Sequence, residues 1–137
     1  MVTKAKKPAR AVKPAAKKAK KPSSMRLAMV GLGRMGGNMV QRLIRGGHQV
    51  VAFDRSNEAV KTHVGFGAEG AKSLSEVCKK LTGPRIVWIM VPSGAPVEAT
   101  INELIPQLSP GDIVIDGGNS NFHDTMRRAE KLKAHQI

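Results

Sequence analysis

The chain of 137 residues has little of the chemistry that marks several classes of protein. Cys78 is the only cysteine, so neither a disulfide framework nor a site of several thiolates is available. The four histidines show no H-x-H or H-x-x-x-H spacing, which argues against a zinc site. No apolar run approaches the length of about 20 residues that a membrane-spanning helix needs, and the charged N-terminus lacks the apolar segment of a secretory signal. We therefore expect a soluble cytoplasmic protein without a metal site and without membrane contact.

Acidic residues are missing from the first part of the chain. Residues 1–24 hold eight Lys and one Arg and therefore carry +9 of the net charge of +13. This Lys/Ala/Pro-rich tail buries too little apolar surface to offset the entropy lost on ordering, so we expect it to be disordered. Two roles stay open for it. It is either a solvated leader or upstream extension without a partner, or a segment that contacts nucleic-acid phosphates without sequence preference.

Residues 25–137 begin with strand, glycine loop, helix, strand and acid. The apolar run R-L-A-M-V at 26–30 predicts a strand, and G-L-G-R-M-G at 31–36 follows it directly. The next segment, 37–45, has apolar residues on one helical face and ends at the glycine pair 46–47. H-Q-V-V-A-F-D at 48–54 predicts a second buried strand that closes on an acid.

The G-x-G-x-x-G sequence in this context indicates a dinucleotide site. Gly31 permits the tight turn, Gly33 lets the backbone approach a pyrophosphate, and Gly36 lets the helix pack close to the strand. The helix N-terminus adds unpaired N–H groups and a favourable dipole for phosphate. Asp54, 18 residues past the third glycine, can accept hydrogen bonds from the adenosine ribose hydroxyls. The alternative is a glycine-rich turn in an α/β domain that binds nothing.

The cofactor is predicted to be NAD, with NADP left open. The carboxylate of Asp54 repels a 2′-phosphate, which favours NAD. Arg55, beside it, can instead hold a 2′-phosphate or stack on adenine.

Strand and helix patterns alternate through the rest of the chain. Helices are predicted at 56–64, at 73–81, within 97–108 until Pro106, and at 121–135. Strands are predicted at 85–91 and 112–116, and a loop with one brief strand at 65–71. Alternation of this kind is typical of a parallel sheet with helices on both faces. The fold class we predict is therefore α/β, a Rossmann-type doubly wound parallel sheet over residues 25–137.

Ligands of such sheets lie across the carboxyl ends of the strands. Residues 91–93 are expected to pass under the nicotinamide half of the dinucleotide, and residues 117–119 to lie nearer the reacting carbon. Local chemistry leaves a second interpretation of D-G-G-N-S at 116–120 equally open. In that interpretation the segment only turns strand into helix, with Asn119 or Ser120 as the N-cap.

Three segments resemble 6-phosphogluconate dehydrogenases. They are M-V-G-L-G-R-M-G-G-N-M, F-D-R-S and G-D-I-V-I-D-G-G-N-S-N-F-H-D-T-M-R-R. The first is shared with the wider β-hydroxyacid dehydrogenase superfamily, including 3-hydroxyisobutyrate dehydrogenases, whereas I-D-G-G-N-S is more specific. The resemblance covers residues 25–137 and none of the tail.

This resemblance implies oxidative decarboxylation of 6-phosphogluconate to ribulose 5-phosphate in the pentose phosphate pathway, with reduction of NAD or NADP. It also implies that Asn119 lies between nicotinamide and substrate and contacts both. NADP-using members read N-R-T where this chain has D-R-S, so the chain is similar to the NAD-preferring bacterial branch. The cofactor-binding residues it implies are Gly31, Leu32, Gly33, Arg34, Met35, Gly36, Asp54, Arg55, Ser56, Val91, Pro92, Ser93 and Asn119.

The family continues beyond the matched region with a V-S-G-G loop, a catalytic Lys, a His-x-x-Asn-Gly stretch, an acidic Glu and a large helical domain. We therefore expect a truncated chain that holds no catalytic residue, is inactive alone, and belongs to a homodimer formed through the missing domain. Two other functions stay open. One is a β-hydroxyacid dehydrogenase with another acid substrate, and the other is a nucleic-acid-associated protein that uses a dehydrogenase-like binding module.

Overall fold

The computed structural model describes residues 23–137. Residues 1–22 of the tail, for which we expect disorder and, as one of two roles, contact with nucleic acid, lie outside the described residues. Strands and helices alternate along the described chain, as the sequence predicts. The strands are β1 Arg26–Val30, β2 Gln49–Phe53, β3 Glu69–Gly70, β4 Ile86–Ile89 and β5 Ile113–Asp116. The helices are α1 Arg34–Arg45, α2 Asn57–Gly65, α3 Leu74–Lys80, α4 Ala95–Leu104 and α5 Phe122–Lys133, and a single 3₁₀ turn covers Ile105–Gln107.

The five strands form one parallel sheet in the order β3-β2-β1-β4-β5, which confirms the Rossmann-type prediction. The register aligns the ends of four strands. Val30 pairs with both Phe53 and Ile89, and Ile89 pairs with Asp116. Because the strands are parallel, the loops that follow β1, β2, β4 and β5 all leave the sheet at the same edge.

Helices cover both faces of this sheet. On one face α1 and α2 pack on β1 and β2 around Met29, Val40 and Val50, which are almost fully buried. On the other face α3, α4 and α5 pack around residues such as Ile89 and Ile101. No helix within residues 23–137 is long and apolar enough to cross a membrane.

Local chemistry sets several element boundaries. Ser73 caps α3 as predicted, because its Oγ accepts from the N–H of Glu76 at 3.0 Å. The helical pattern predicted to run until Pro106 ends at Leu104 and continues as the 3₁₀ turn, because Pro106 has no N–H to donate. The strand predicted at 85–91 is also shorter, and the residues after Ile89 turn into a loop.

Asp112 joins the starts of β4 and β5 at the opposite edge of the sheet. Its carboxylate is buried and accepts from the backbone N–H groups of Arg85 and Ser109, at 2.7 and 2.8 Å, and from the Arg85 guanidinium at 3.3 Å. Burial by itself raises the pKa of Asp112, but these hydrogen bonds outweigh it and hold the pKa below its usual value.

Candidate functional site

The loops at the carboxyl ends of β1, β2, β4 and β5 enclose a cleft of about 740 Å³. This edge is where the order of the sheet reverses between β1 and β4, the usual position of ligands in doubly wound folds. The cleft is lined by Val30, Gly31, Gly33, Arg34, Met35, Gly36, Phe53, Asp54, Arg55, Met90, Val91, Pro92, Ser93, Pro96, Thr100, Gly118 and Asn119.

The three glycines of the 31–36 loop differ in what an added Cβ would contact. Gly31 has φ +100°, and a Cβ there would lie 2.5 Å from the carbonyl oxygen of Met90. A Cβ on Gly36 would overlap the carbonyl oxygen of Gly31, so the loop and α1 could not approach as they do. Gly33 is different, since a Cβ there would meet no atom within 4 Å. The space over Gly33 is therefore open to a ligand.

The N-terminus of α1 opens on this cleft without a side-chain cap. Gly33 occupies the cap position, and in the part of the chain that the structure describes no side chain accepts a hydrogen bond there. The first helical hydrogen bond runs from the N–H of Gly37 to the carbonyl of Gly33, at 2.7 Å. The preceding N–H groups have no acceptor within the helix, and together with the helix dipole they favour an anion.

Asp54 connects the glycine loop to the turn after β2. Its Oδ2 accepts from the N–H of Leu32 at 2.7 Å, and its Oδ1 accepts from the N–H of Ser56 at 2.8 Å. A carboxylate offers about four lone-pair positions, so each oxygen can accept a further hydrogen bond. Arg55, next to it, is exposed at the rim of the cleft.

The loops after β4 and β5 form the other wall. Val91, Pro92 and Ser93 line it from the first loop, and Gly118 and Asn119 from the second. Pro96 and Thr100, one turn apart on α4, extend the same wall. The turn into α4 requires a glycine, because Gly94 has φ +90°.

The interpretation of Asn119 or Ser120 as N-cap is wrong. The cap of α5 is Asn121, whose side-chain oxygen accepts from the N–H of His123 at 2.9 Å. Three residues of the sequence Asn-Ser-Asn compete for this role, and the one at the start of the helix takes it. Asn119 is left exposed in the cleft wall.

Buried polar atoms without a hydrogen-bond partner cluster around this second loop. Within residues 23–137 the side-chain atoms of this kind are Trp88 Nε1, Asp116 Oδ2, Ser120 Oγ and Arg128 Nη1. Two belong to residues 116–120 themselves, and the other two side chains contact that segment at Gly117 and Asp116. Such groups are uncommon in folded proteins and concentrate where ligands bind or strain is held.

Glu98 lies behind the loop after β4, on the first turns of α4. Its carboxylate accepts from Nε of Arg128 at 2.5 Å. That hydrogen bond, with the positive charges of Arg127, Arg128 and Lys131, holds the pKa of Glu98 below its usual value against a smaller opposing effect of burial. The carboxylate is thus an anion paired with Arg128 rather than a proton donor.

Most of the residues predicted for the cofactor lie in the cleft wall, and two do not. The side chain of Leu32 is buried in the core, and only its N–H, bound to Asp54, faces this region. Ser56 is the N-cap of α2, and its Oγ accepts from the N–H of Ala59 at 3.3 Å. Gly118, expected near the reacting carbon, also lines the cleft, and the lining residues that sequence reasoning missed are Val30, Phe53, Met90, Pro96 and Thr100. Pro96 and Thr100 share a face of α4 by their i, i+4 spacing, but the sequence holds no signal that this face meets the cleft.

Comparison with known proteins gives a consistent result. Residues 26–137 match the family model described as the NAD binding domain of 6-phosphogluconate dehydrogenase. The chain is 46% identical over 110 residues to an NAD(+)-dependent, decarboxylating 6-phosphogluconate dehydrogenase of Haloferax volcanii, covering 80% of this chain and 37% of that protein. It is 40% identical over 116 residues to a decarboxylating 6-phosphogluconate dehydrogenase of Caenorhabditis elegans, covering 81% and 24%. The chain therefore spans between about a quarter and just over a third of these relatives.

Solved structures agree on the fold. A 6-phosphogluconate dehydrogenase of Plasmodium falciparum, studied without ligand, with NADP+ and with 6-phosphogluconate, superposes with a TM-score of 0.76 at 25% identity, over 81% of this chain and 25% of that one. A 3-hydroxyisobutyrate dehydrogenase of Mycobacterium tuberculosis superposes equally well, with a TM-score of 0.76 at 24% identity, over 82% and 38%. The second likeness concerns the fold alone.

Proposed function

Because the chain belongs to the family of NAD-binding domains of 6-phosphogluconate dehydrogenase, we propose that it holds the dinucleotide for oxidative decarboxylation of 6-phosphogluconate to ribulose 5-phosphate, a reaction of the pentose phosphate pathway. In this reaction hydride leaves C3 for the nicotinamide, the 3-keto acid loses CO₂, and the enediol is reprotonated. The observation that carries the proposal is the meeting of the glycine loop, Asp54 and Asn119 in one cleft.

The glycine loop binds the pyrophosphate in this proposal. Gly33 leaves the space for it, and the uncapped N-terminus of α1 supplies N–H donors and a favourable dipole. Arg34, exposed on the first turn, adds a positive charge beside the same space. Pyrophosphate is the ligand chemistry that these features favour.

Asp54 binds the adenosine ribose and selects NAD. Its two oxygens are held by backbone N–H groups, so the carboxylate is oriented before the ligand arrives. The remaining lone pairs accept from the 2′- and 3′-hydroxyls, whereas a 2′-phosphate meets the repulsion of a fixed negative charge. Arg55 offsets part of this repulsion, so NADP is the weaker ligand rather than an excluded one.

Asn119 contacts both nicotinamide and substrate in this proposal. It is exposed in the wall opposite the glycine loop, and it is free of the capping role that Asn121 takes. Its side-chain amide can donate and accept hydrogen bonds at the same time. This suits a position between the carboxamide group of the nicotinamide and a polyhydroxy acid.

The contribution of these residues is to bind and orient rather than to move protons. Arg34, Asp54 and Arg55 are the ionisable side chains among those that line the cleft. Neither arginine gives up a proton at neutral pH, and Asp54 lies at the ribose end of the cleft. Proton transfer at C3 and at the enediol is therefore assigned to residues of the enzyme outside this cleft wall.

Titration of the chain with NADH and NADPH, followed by nicotinamide fluorescence, tests the cofactor assignment. We expect tighter binding of NADH. Asp54→Asn should weaken NADH, because the hydrogen bonds from the ribose hydroxyls lose their charged acceptor, and strengthen NADPH, because the repulsion of the 2′-phosphate is removed. Each effect is worth roughly 1 kcal/mol, or about threefold to tenfold in affinity. Asp124→Asn on α5 removes the same charge away from the cleft and should change neither affinity.

Tighter binding of NADPH by the wild-type chain would remove the assignment of Asp54. Loss of both cofactors in Asp54→Asn would mean that the side chain acts only through its backbone contacts.

For the substrate, NMR shifts of the chain saturated with NADH separate 6-phosphogluconate from 3-hydroxyisobutyrate. We expect 6-phosphogluconate alone to shift the amides of residues 118–120, and Asn119→Ala to abolish the effect. Asn38→Ala, an exposed amide on α1, is the matched control and should keep it. Equal shifts with both acids would contradict the substrate assignment.

A further inference from the structure

Arg128 is buried to an extent that is unusual for an arginine. Only 3% of the residue is exposed, although its neighbour Arg127 on α5 has a side chain that is 62% exposed. Arginine is rarely buried unless its guanidinium is paired. The burial of Arg128 therefore indicates that its guanidinium is paired with nearby acceptors.

The guanidinium of Arg128 reaches three groups, two at the start of α4 and one at the end of β5. Its Nε donates to Oε2 of Glu98 at 2.5 Å, and its Nη2 donates to the carbonyl oxygen of Gly94 at 3.3 Å. Its Nη1 lies 3.5 Å from Oδ2 of Asp116. Gly94 ends the connection from β4 into α4, Glu98 lies on the first turn of α4, and Asp116 ends β5.

Both connections lead directly to the wall of the cleft. The other carboxylate oxygen of Asp116 accepts from the N–H of Gly118 at 3.3 Å, and Asn119 follows in the chain. Gly94, held at φ +90°, follows Ser93, which lines the cleft from the other loop. One side chain thus connects the two loops from behind, and it contacts neither the glycine loop nor Asp54.

The chemistry of arginine suits a role in geometry more than one in stability. A buried ion pair gains little net free energy over a well-packed apolar contact. A planar guanidinium, however, directs donors to several acceptors in fixed directions, which an ammonium group cannot do. Within the described residues Nη1 of Arg128 and Oδ2 of Asp116 are both buried and have no hydrogen-bond partner. The ion pair that they form with each other, at 3.5 Å, is therefore the interaction that compensates their charges.

We propose that Arg128 is a positioning residue, which holds the loop at residues 91–94 against the loop at 117–119 so that together they bind the nicotinamide half of the cofactor. The inference rests on the proposed function, because it concerns the same cleft. It separates the cleft into two halves. The adenosine and pyrophosphate half depends on the glycine loop and Asp54, and the nicotinamide half depends on Arg128.

Arg128→Lys in the full chain tests this separation, with Arg127→Lys as the matched control. The dissociation constants for NADH and for ADP-ribose, which lacks the nicotinamide, are measured for both variants. We expect Arg128→Lys to weaken NADH by roughly threefold to tenfold, the equivalent of about one misplaced hydrogen bond. ADP-ribose should bind as it does to the wild-type chain, and Arg127→Lys should change neither affinity.

Amide hydrogen exchange without ligand gives an independent measurement. Arg128→Lys should speed exchange at Ser93, Gly118 and Asn119 and leave the amides of β2 unchanged. Equal loss of NADH and ADP-ribose affinity, or unchanged exchange in both loops, would overturn the inference. If Arg128→Lys fails to fold, Glu98→Gln takes its place, because it removes the charge of one partner of Arg128 while keeping its shape. The comparison of NADH with ADP-ribose and the comparison of amide exchange then test the inference in that variant.

The two proposals fail in different ways. A wild-type chain that binds neither NADH nor ADP-ribose would refute the proposed function, and the exchange comparison would still support or overturn the role of Arg128.

Discussion

Two alanine substitutions in the glycine loop should separate folding from ligand binding, because Gly31 and Gly33 have different surroundings. Gly31 has φ +100°, and an added Cβ would lie 2.5 Å from the carbonyl oxygen of Met90. Gly33 has φ −64°, which any residue can adopt, and an added Cβ would meet no atom within 4 Å. Gly31→Ala should therefore destabilise the fold, and Gly33→Ala should obstruct the pyrophosphate while the fold persists.

The magnitudes follow from these contacts. A left-handed backbone costs a residue with a Cβ about 1–2 kcal/mol, and forced overlap in a packed region costs about 1–3 kcal/mol more. Met90 cannot retreat easily, because its N–H donates to the carbonyl of Val30 at 2.7 Å. The total of about 2–5 kcal/mol is a large part of the roughly 5–15 kcal/mol that stabilises a typical domain. For a domain of this size it lowers Tm by roughly 10 °C or more.

Gly33→Ala should cost less than about 1 kcal/mol, because alanine is only a poorer N-cap than glycine. Its affinity for NADH should fall by about tenfold or more, since the methyl group displaces the pyrophosphate from the backbone N–H donors. Thermal denaturation followed by far-UV circular dichroism, together with NADH fluorescence titration, measures both quantities. Binding of NADH by Gly33→Ala at the wild-type level would refute the reasoning, as would equal losses of Tm in the two variants.

Two further predictions concern stability alone. Ser73→Ala should lower the free energy of unfolding by about 1 kcal/mol, because it removes the N-cap of α3. Ser75→Ala, inside the same helix, should not lower it. Equal effects of the two substitutions in urea denaturation would contradict the cap assignment. Asp112→Asn should lower it by about 2 kcal/mol at neutral pH, because the charged partner of the Arg85 guanidinium and of two backbone N–H groups is lost. The folded-state pKa of Asp112 lies below its unfolded value, so its stabilisation is complete above about pH 4 and is lost as the pH falls further. The difference between wild type and variant should therefore shrink in acid, and a difference that persists unchanged there would refute the assignment.

Local sequence patterns were sufficient for the order and type of the elements. Apolar runs between glycines predicted the strands, the G-x-G-x-x-G loop predicted the turn from β1 into α1, and Ser73 predicted a helix start. These features depend on backbone conformation and on contacts between residues close in the chain. Such contacts are readable from spacing alone.

The sequence by itself therefore determined the fold class and which loops line the cleft, while tertiary structure decided how the loops after β4 and β5 are held. The choice of Asn121 rather than Asn119 as the cap of α5 depends on where the helix begins after packing. The contact of Arg128 with Gly94 crosses 34 residues of chain, and it exists only because β4 and β5 are adjacent and α5 packs behind them. Periodicity reports which face of an element is buried, but not which distant charge it meets there. That information arises only when the strands align in register and bring the two loops together.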